Sequence, residues 1–264
     1  MSAALRIGMV GGAGRLGGAI AASILNAGIV EPRNLSLSYR RKATDRFPGA
    51  FWTTDSQELA DRSDIIIFSV RPEDWPALSV NANGKLILSL MAGVRLAHLC
   101  SRHNTERAVR ALPNAAAEVA RSYTPWITSR SVTDGDRAMM RAIFNACGVQ
   151  DEITSENDID YLTGLTGSGP AFPVLLAAAM MDHAIDYGLA RDVAQRAVIT
   201  MLTGTGRLLE RREECPDDIV RTFLNYRGTT AAAIEEMRAS GFDAAVRHGL
   251  AAAFRKSVSM GETS

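Results

Sequence analysis

Apolar and polar positions follow two different patterns along this chain. In the first part the apolar residues form short runs, each ended by glycine, proline or charge. Residues 5–10, 64–70, 85–90 and 107–112 are almost continuously apolar, as expected of strands buried on both faces of a parallel sheet. Residues 34–39 alternate polar and apolar and read as a further strand, and Phe51-Trp52 as a short one. Residues 124–129 read as an edge strand. Helices are expected over residues 15–28, 55–61 and 134–147, and residues 148–152 close this region. From about Ser155 onward no strand is expected. The remaining apolar runs recur at helical spacing and break at residues 164–170 and at Gly188, Pro216 and Gly228. The pattern predicts an α/β fold: an N-terminal Rossmann-type dinucleotide-binding domain over residues 1–154, then an all-helical C-terminal dimerisation domain over residues 155–264.

The first strand runs directly into Gly12-Ala13-Gly14-Arg15-Leu16-Gly17, a G-x-G-x-x-G sequence placed where a strand becomes a helix. Glycines there permit a tight turn, close backbone approach to a pyrophosphate and close packing of helix on strand. The free N–H groups and positive dipole end of the helix then face the anion. About 20 residues further on, an NAD site places an acid for the ribose 2′-hydroxyl. This chain has Arg40-Arg41-Lys42 instead. An arginine fork suits a 2′-phosphate, so NADP is the expected cofactor, with NADPH preferred over NADH. In a parallel sheet the loops at residues 12–17, 38–41, 70–72, 91–94 and 112–114 lie on one rim, where ligands bind.

Charge and composition narrow the partners. Lys plus Arg equals Asp plus Glu, 29 each, so there is no basic excess for nucleic acid. The most apolar later stretch, residues 171–184, is interrupted by Pro173, Asp182 and His183 and is shorter than a bilayer span. No membrane partner is expected. Its nearly all-round apolarity instead calls for cover by a second copy, hence a homodimer or larger homo-oligomer. The first strand starts too near the N-terminus to leave room for a signal peptide. Cys100, Cys147 and Cys215 are widely spaced and odd in number, as free thiols in a reducing cytoplasm would be. No His, Cys or carboxylate spacing indicates a metal site or a nucleophile–base pair.

Six pieces, in order, resemble the pyrroline-5-carboxylate reductase family. They are IGMVGGAGRLGGAI at residues 7–20; Val70-Arg71-Pro72, where the family has Val-Lys-Pro; Ser89-Leu90-Met91-Ala92-Gly93-Val94; Arg110-Ala111-Leu112-Pro113-Asn114; Gly167-Ser168-Gly169-Pro170-Ala171; and Gly228-Thr229-Thr230. The resemblance implies reduction of 1-pyrroline-5-carboxylate, a small cyclic imine carboxylate, to L-proline by hydride transfer from NAD(P)H. It implies cofactor contacts from Gly12, Ala13, Gly14, Arg15, Leu16, Arg40, Arg41, Val70, Arg71, Pro72, Ala92, Gly93 and Asn114. Substrate contacts would come from Ser168, Gly169 and Thr229; Arg227, which departs from the family, would add a carboxylate contact. Thr230 would donate a proton or hydrogen bond to the imine nitrogen.

Two departures stand out. The family's Ser-Pro-Gly-Gly becomes Asn225-Tyr226-Arg227-Gly228, and there is an additional glycine at Gly11-Gly12. The first leaves room for a reductase of a different cyclic imine acid. A non-catalytic NADP-binding sensor is a further alternative. A β-hydroxyacid dehydrogenase would rely on a lysine in the helical domain, where only Lys256 is found.

Overall fold

The computed structural model describes residues 4–40, 42–211 and 214–262. It divides into two compact units, Met1–Ser168 with Ala252–Ser264, and Gly169–Ala251.

The first unit is a doubly wound sheet. Its elements run β1 (Ile7–Val10), α1 (Arg15–Asn26), β2 (Leu35–Ser38), β3 (Phe51–Thr53), α2 (Ser56–Asp61), β4 (Ile65–Phe68), β5 (Leu86–Ser89), α3 (Leu96–His103), β6 (Ala108–Ala111), β7 (Ser122–Thr128), α4 (Asp134–Cys147), β8 (Gly148–Glu152) and α5 (Glu156–Leu162). The strand order is β3-β2-β1-β4-β5-β6-β7-β8. All neighbours are parallel except β6 and β7. Alternate side chains serve opposite faces. Ile65 and Ile67 pack with Ile20, Ile24 and Phe144, while Ile66 and Phe68 pack with Leu59, Trp75 and Leu99. Burial on both faces is why these strands carry no polar alternation.

Two expectations change here. The strand expected at residues 124–129 is not an edge: β8 pairs beyond it, from Ser122↔Gly148 to Trp126↔Glu152. Gly148 makes this possible, since a Cβ there would lie 2.1 Å from the Ser122 carbonyl oxygen. The expected break at residues 164–170 is a π-helical turn, Thr163–Gly167, that leads from α5 into α6 (Ala171–Asp186). Hydroxyls of Thr163 and Thr166 donate to the carbonyls of Ile159 (2.7 Å) and Leu162 (2.9 Å), occupying acceptors in the distorted turn. The run Glu156–Asp186 is thereby long and apolar enough, by length and composition, to cross a membrane.

A buried ion cluster fastens the end of the sheet. Arg110 on β6 is fully buried and donates to Asp160 (2.6 Å) and Glu156 (3.1 Å), both on α5. Arg95 pairs with Asp160 at 3.0 Å, and the Ser257 hydroxyl, on α10 (Phe242–Glu262), lies 3.3 Å from it.

The second unit holds α6, α7 (Arg191–Arg211), α8 (Pro216–Asn225), α9 (Thr229–Ala239) and the first half of α10. Among its described residues only Ala194, Val198 and Ala231 are buried. Val174, Leu175, Ile199 and Leu208 are each more than half exposed.

His103 shows how the face covered by α2 and α3 is tied together. Its ring stacks on Phe68, and the indole N–H of Trp75 donates to its Nε2 at 2.8 Å. An indole only donates, so Nε2 is unprotonated and Nδ1–H donates to the Val80 carbonyl at 2.9 Å. Burial pushes the imidazole below the usual histidine range. Neutral His103 therefore contributes stability above the unfolded value of about 6.5, and loses it as pH falls towards the lower folded value. The thermal midpoint should fall between pH 7 and 5, and fall less steeply in His103→Gln. Parallel curves for the two proteins would contradict this.

Candidate active site

Five loops meet at the C-terminal rim of β2, β1, β4, β5 and β6. The central one is the glycine turn. Its tight bend is made by Gly11, with φ +88°, rather than by Gly12. A Cβ on Gly11 would lie 2.4 Å from the Ser69 carbonyl oxygen, so the additional glycine is the one the turn requires. Gly17 fills the packing role: a Cβ there would come within 2.6 Å of the Gly11 carbonyl oxygen. Ser38 holds the turn against β2, its hydroxyl accepting from Gly11 N–H at 2.9 Å.

Helix α1 has no side-chain cap and no acid in its first turn. Its leading N–H groups, on Arg15, Leu16 and Gly17, precede any intrahelical acceptor. Ala13, Gly14 and Arg15 are exposed on the rim. Arg15 leans towards the loop after β6, where it pairs with Glu118 at 2.8 Å. A glycine cradle that side chains would fill, below an uncapped helix end, fits a pyrophosphate.

The flanking loops carry the other expected cofactor residues. Arg40, two residues beyond β2, is exposed and ion-paired with Asp74. Arg41 lies outside the described residues. Val70, Arg71 and Pro72 follow β4, with Pro72 opening a 3-10 helix, Pro72–Ala77. Gly93 has φ +79°, and Ala92 stands beside it. A Cβ on Gly93 would lie 2.9 Å from the backbone nitrogen of Gly261, so the end of α10 seats directly on this loop.

Asn114 is almost wholly engaged inside the protein. Its carbonyl oxygen caps Ala116 N–H (2.9 Å) and its amide donates to the Thr166 carbonyl (3.0 Å). It thus ties the β6 loop to the π turn that leads to Ser168. Ser168 itself donates its N–H to Thr163 at 3.0 Å.

In the second unit, Gly169 begins the turn into α6, its carbonyl accepting from Phe172 at 3.0 Å. Thr229 and Thr230 occupy the first positions of α9, with Gly228 as N-cap and no side-chain cap. Both threonines are exposed. Arg227 has φ +53°, a left-handed backbone position that favours glycine, and its side chain is exposed. Sequence reasoning missed Asp74, Glu118 and the acids of α5. For Asp74 the available signal was an acid two residues past Pro72 on the cofactor rim. Nothing local marked the others.

Comparison with known proteins places both halves. Residues 156–260 match the family described as pyrroline-5-carboxylate reductase dimerisation. Residues 6–93 match NADP oxidoreductase coenzyme F420-dependent. The chain is 32% identical over 212 residues to the pyrroline-5-carboxylate reductase of Synechocystis sp., covering 79% of each. It is 30% identical over 265 residues to pyrroline-5-carboxylate reductase 3 of Macaca fascicularis, covering 96% of this chain and 94% of that one. The pyrroline carboxylate reductase of Plasmodium falciparum, solved with NADP bound, superposes with a TM-score of 0.85 at 26% identity, covering 97% and 98% of the two chains.

The glycine geometry generates a direct test. Gly17→Ala should weaken NADPH binding and lower stability by about 1–3 kcal/mol through overpacking, read by cofactor titration and thermal melting. Unchanged binding and melting would show that the turn is not closed by this contact.

Proposed function

The chain belongs to the pyrroline-5-carboxylate reductase family, and we propose from that premise how its residues divide the work. The reaction is reduction of 1-pyrroline-5-carboxylate to L-proline, a hydride transferred from NAD(P)H to the imine carbon while the nitrogen holds a proton. The observation that carries the reading is the conjunction, in one chain, of the Gly11–Gly17 cradle under an uncapped α1 with the dimerisation-family segment over residues 156–260.

Residues 1–154 bind the cofactor and residues 155–264 serve the substrate and the dimer. Gly12, Ala13, Gly14, Arg15 and Leu16 surround the pyrophosphate, which the N–H groups at the start of α1 face. Arg40 and Arg41 receive the 2′-phosphate and favour NADPH over NADH. Val70, Arg71 and Pro72 line one side of the cofactor. Ala92, Gly93 and Asn114 line the nicotinamide end, Asn114 mainly by bracing. When bound, NADPH supplies the hydride, and the chain's own residues supply placement.

Ser168, Gly169, Thr229 and Arg227 hold the substrate carboxylate. Thr230 hydrogen-bonds the imine nitrogen. Supporting this is the exposure of both threonines at the start of α9. A weak acid suffices, since a cyclic imine near neutral pH is readily protonated and orientation does the rest. The exposed apolar side chains of α6 and α7 support a homodimer: a helix such as α6, with no buried residue, needs cover. Three free cysteines suit a cytoplasmic setting.

NADPH oxidation with 1-pyrroline-5-carboxylate, run beside a six-membered cyclic imine acid, tests the reaction. The five-membered imine should turn over faster; no turnover by folded, cofactor-bound protein would refute it. Thr230→Val should lower kcat by about 10²-fold or more while leaving NADPH affinity intact. Arg40→Ala should raise KM for NADPH about tenfold and KM for NADH far less. An equal effect on both would refute the phosphate role.

A further inference from the structure

Arg40 and Asp74 reach the rim from opposite sides. Arg40 stands just past β2, and Asp74 stands in the 3-10 helix after β4. In the sheet β2 and β4 flank β1. Their ion pair therefore crosses the end of β1, where the chain turns through Gly11 into α1. The pair contributes little to stability, because the arginine side chain is 77% exposed. Asp74 is nonetheless held in place. The next residue, Trp75, is buried and hydrogen-bonded to His103, which anchors the short helix that carries the acid.

We propose that Asp74 sets the balance between NADPH and NADH by competing with the 2′-phosphate for Arg40. This rests on the assignment of Arg40 as a phosphate ligand. A 2′-phosphate must draw the guanidinium away from Asp74, and that loss opposes NADPH. NADH has a 2′-hydroxyl instead, leaves the pair intact and offers the carboxylate a hydrogen to accept, as the acid of an NAD site does. Asp74 thus narrows a preference that Arg40 creates. The pairing partner and the ribose acceptor are the same carboxylate.

The test measures NADPH and NADH affinity by fluorescence titration of the full chain and of Asp74→Asn, Asp74→Ser, Arg40→Ala and the Arg40→Ala/Asp74→Ser double variant. Both Asp74 variants should bind NADPH about two- to fivefold more tightly and NADH no better than before. Serine checks asparagine, whose amide oxygen still accepts from arginine. In the Arg40→Ala background the gain should vanish. Equal changes for both cofactors, no change, or a gain that persists without Arg40 would overturn the proposal. If Arg40→Ala selectively weakens NADPH while the Asp74 variants are silent, the phosphate role of Arg40 stands and the role of Asp74 falls. If Arg40→Ala shows no selectivity, the phosphate assignment itself fails.

Discussion

A guanidinium with no exposed surface must be neutralised inside the protein, and much of this architecture follows from how Arg110 achieves that. It extends from β6 to two carboxylates of α5, Glu156 and Asp160. Asp160 in turn gathers Arg95 from the start of α3 and Ser257 from α10. Removing one partner from such a cluster is costly, because it strands a buried charge. The cluster therefore fixes α5 against the sheet. With α5 fixed, the π turn begins at a defined place, and Asn114 can reach the Thr166 carbonyl. A purely apolar contact would not set register so narrowly.

The fold was legible where its causes are local. Continuous apolar runs marked the buried strands, and strand–glycine–helix order marked the phosphate turn. Residues 134–147, expected as a helix, form α4, and a Thr133–Asp136 capping box starts it. What was not legible depends on distant partners. Which glycine bends depends on Ser69, just past the neighbouring strand β4. The edge position of β8 depends on Ser122 approaching Gly148. The π turn replaced a break because threonine hydroxyls occupy nearby carbonyls. For the site, residue types at the rim could be read along the chain. That Arg15 and Arg40 face Glu118 and Asp74 could not, since ion pairs between loops leave no periodic trace.

The two units differ in how they satisfy burial. The sheet unit encloses its own core on both faces. Among its described residues the helical unit buries three small ones and leaves large aliphatic ones exposed. In the proposed homodimer, association is then part of the stability of this unit rather than an addition to it.

The return of α10 to the sheet unit carries a consequence for synthesis. Gly261 packs backbone to backbone on the Gly93 loop, and Ser257 lies against Asp160. Those residues are translated after the whole of the helical unit. A nascent chain can pair its eight strands early, but it cannot complete the Asp160 cluster or seat the Gly93 loop until the helices have left the ribosome. During that interval the sheet unit is waiting for its last segment while the apolar helices are already exposed. The order of translation thus makes the helical surface available for misassociation before the nucleotide-binding half has finished closing.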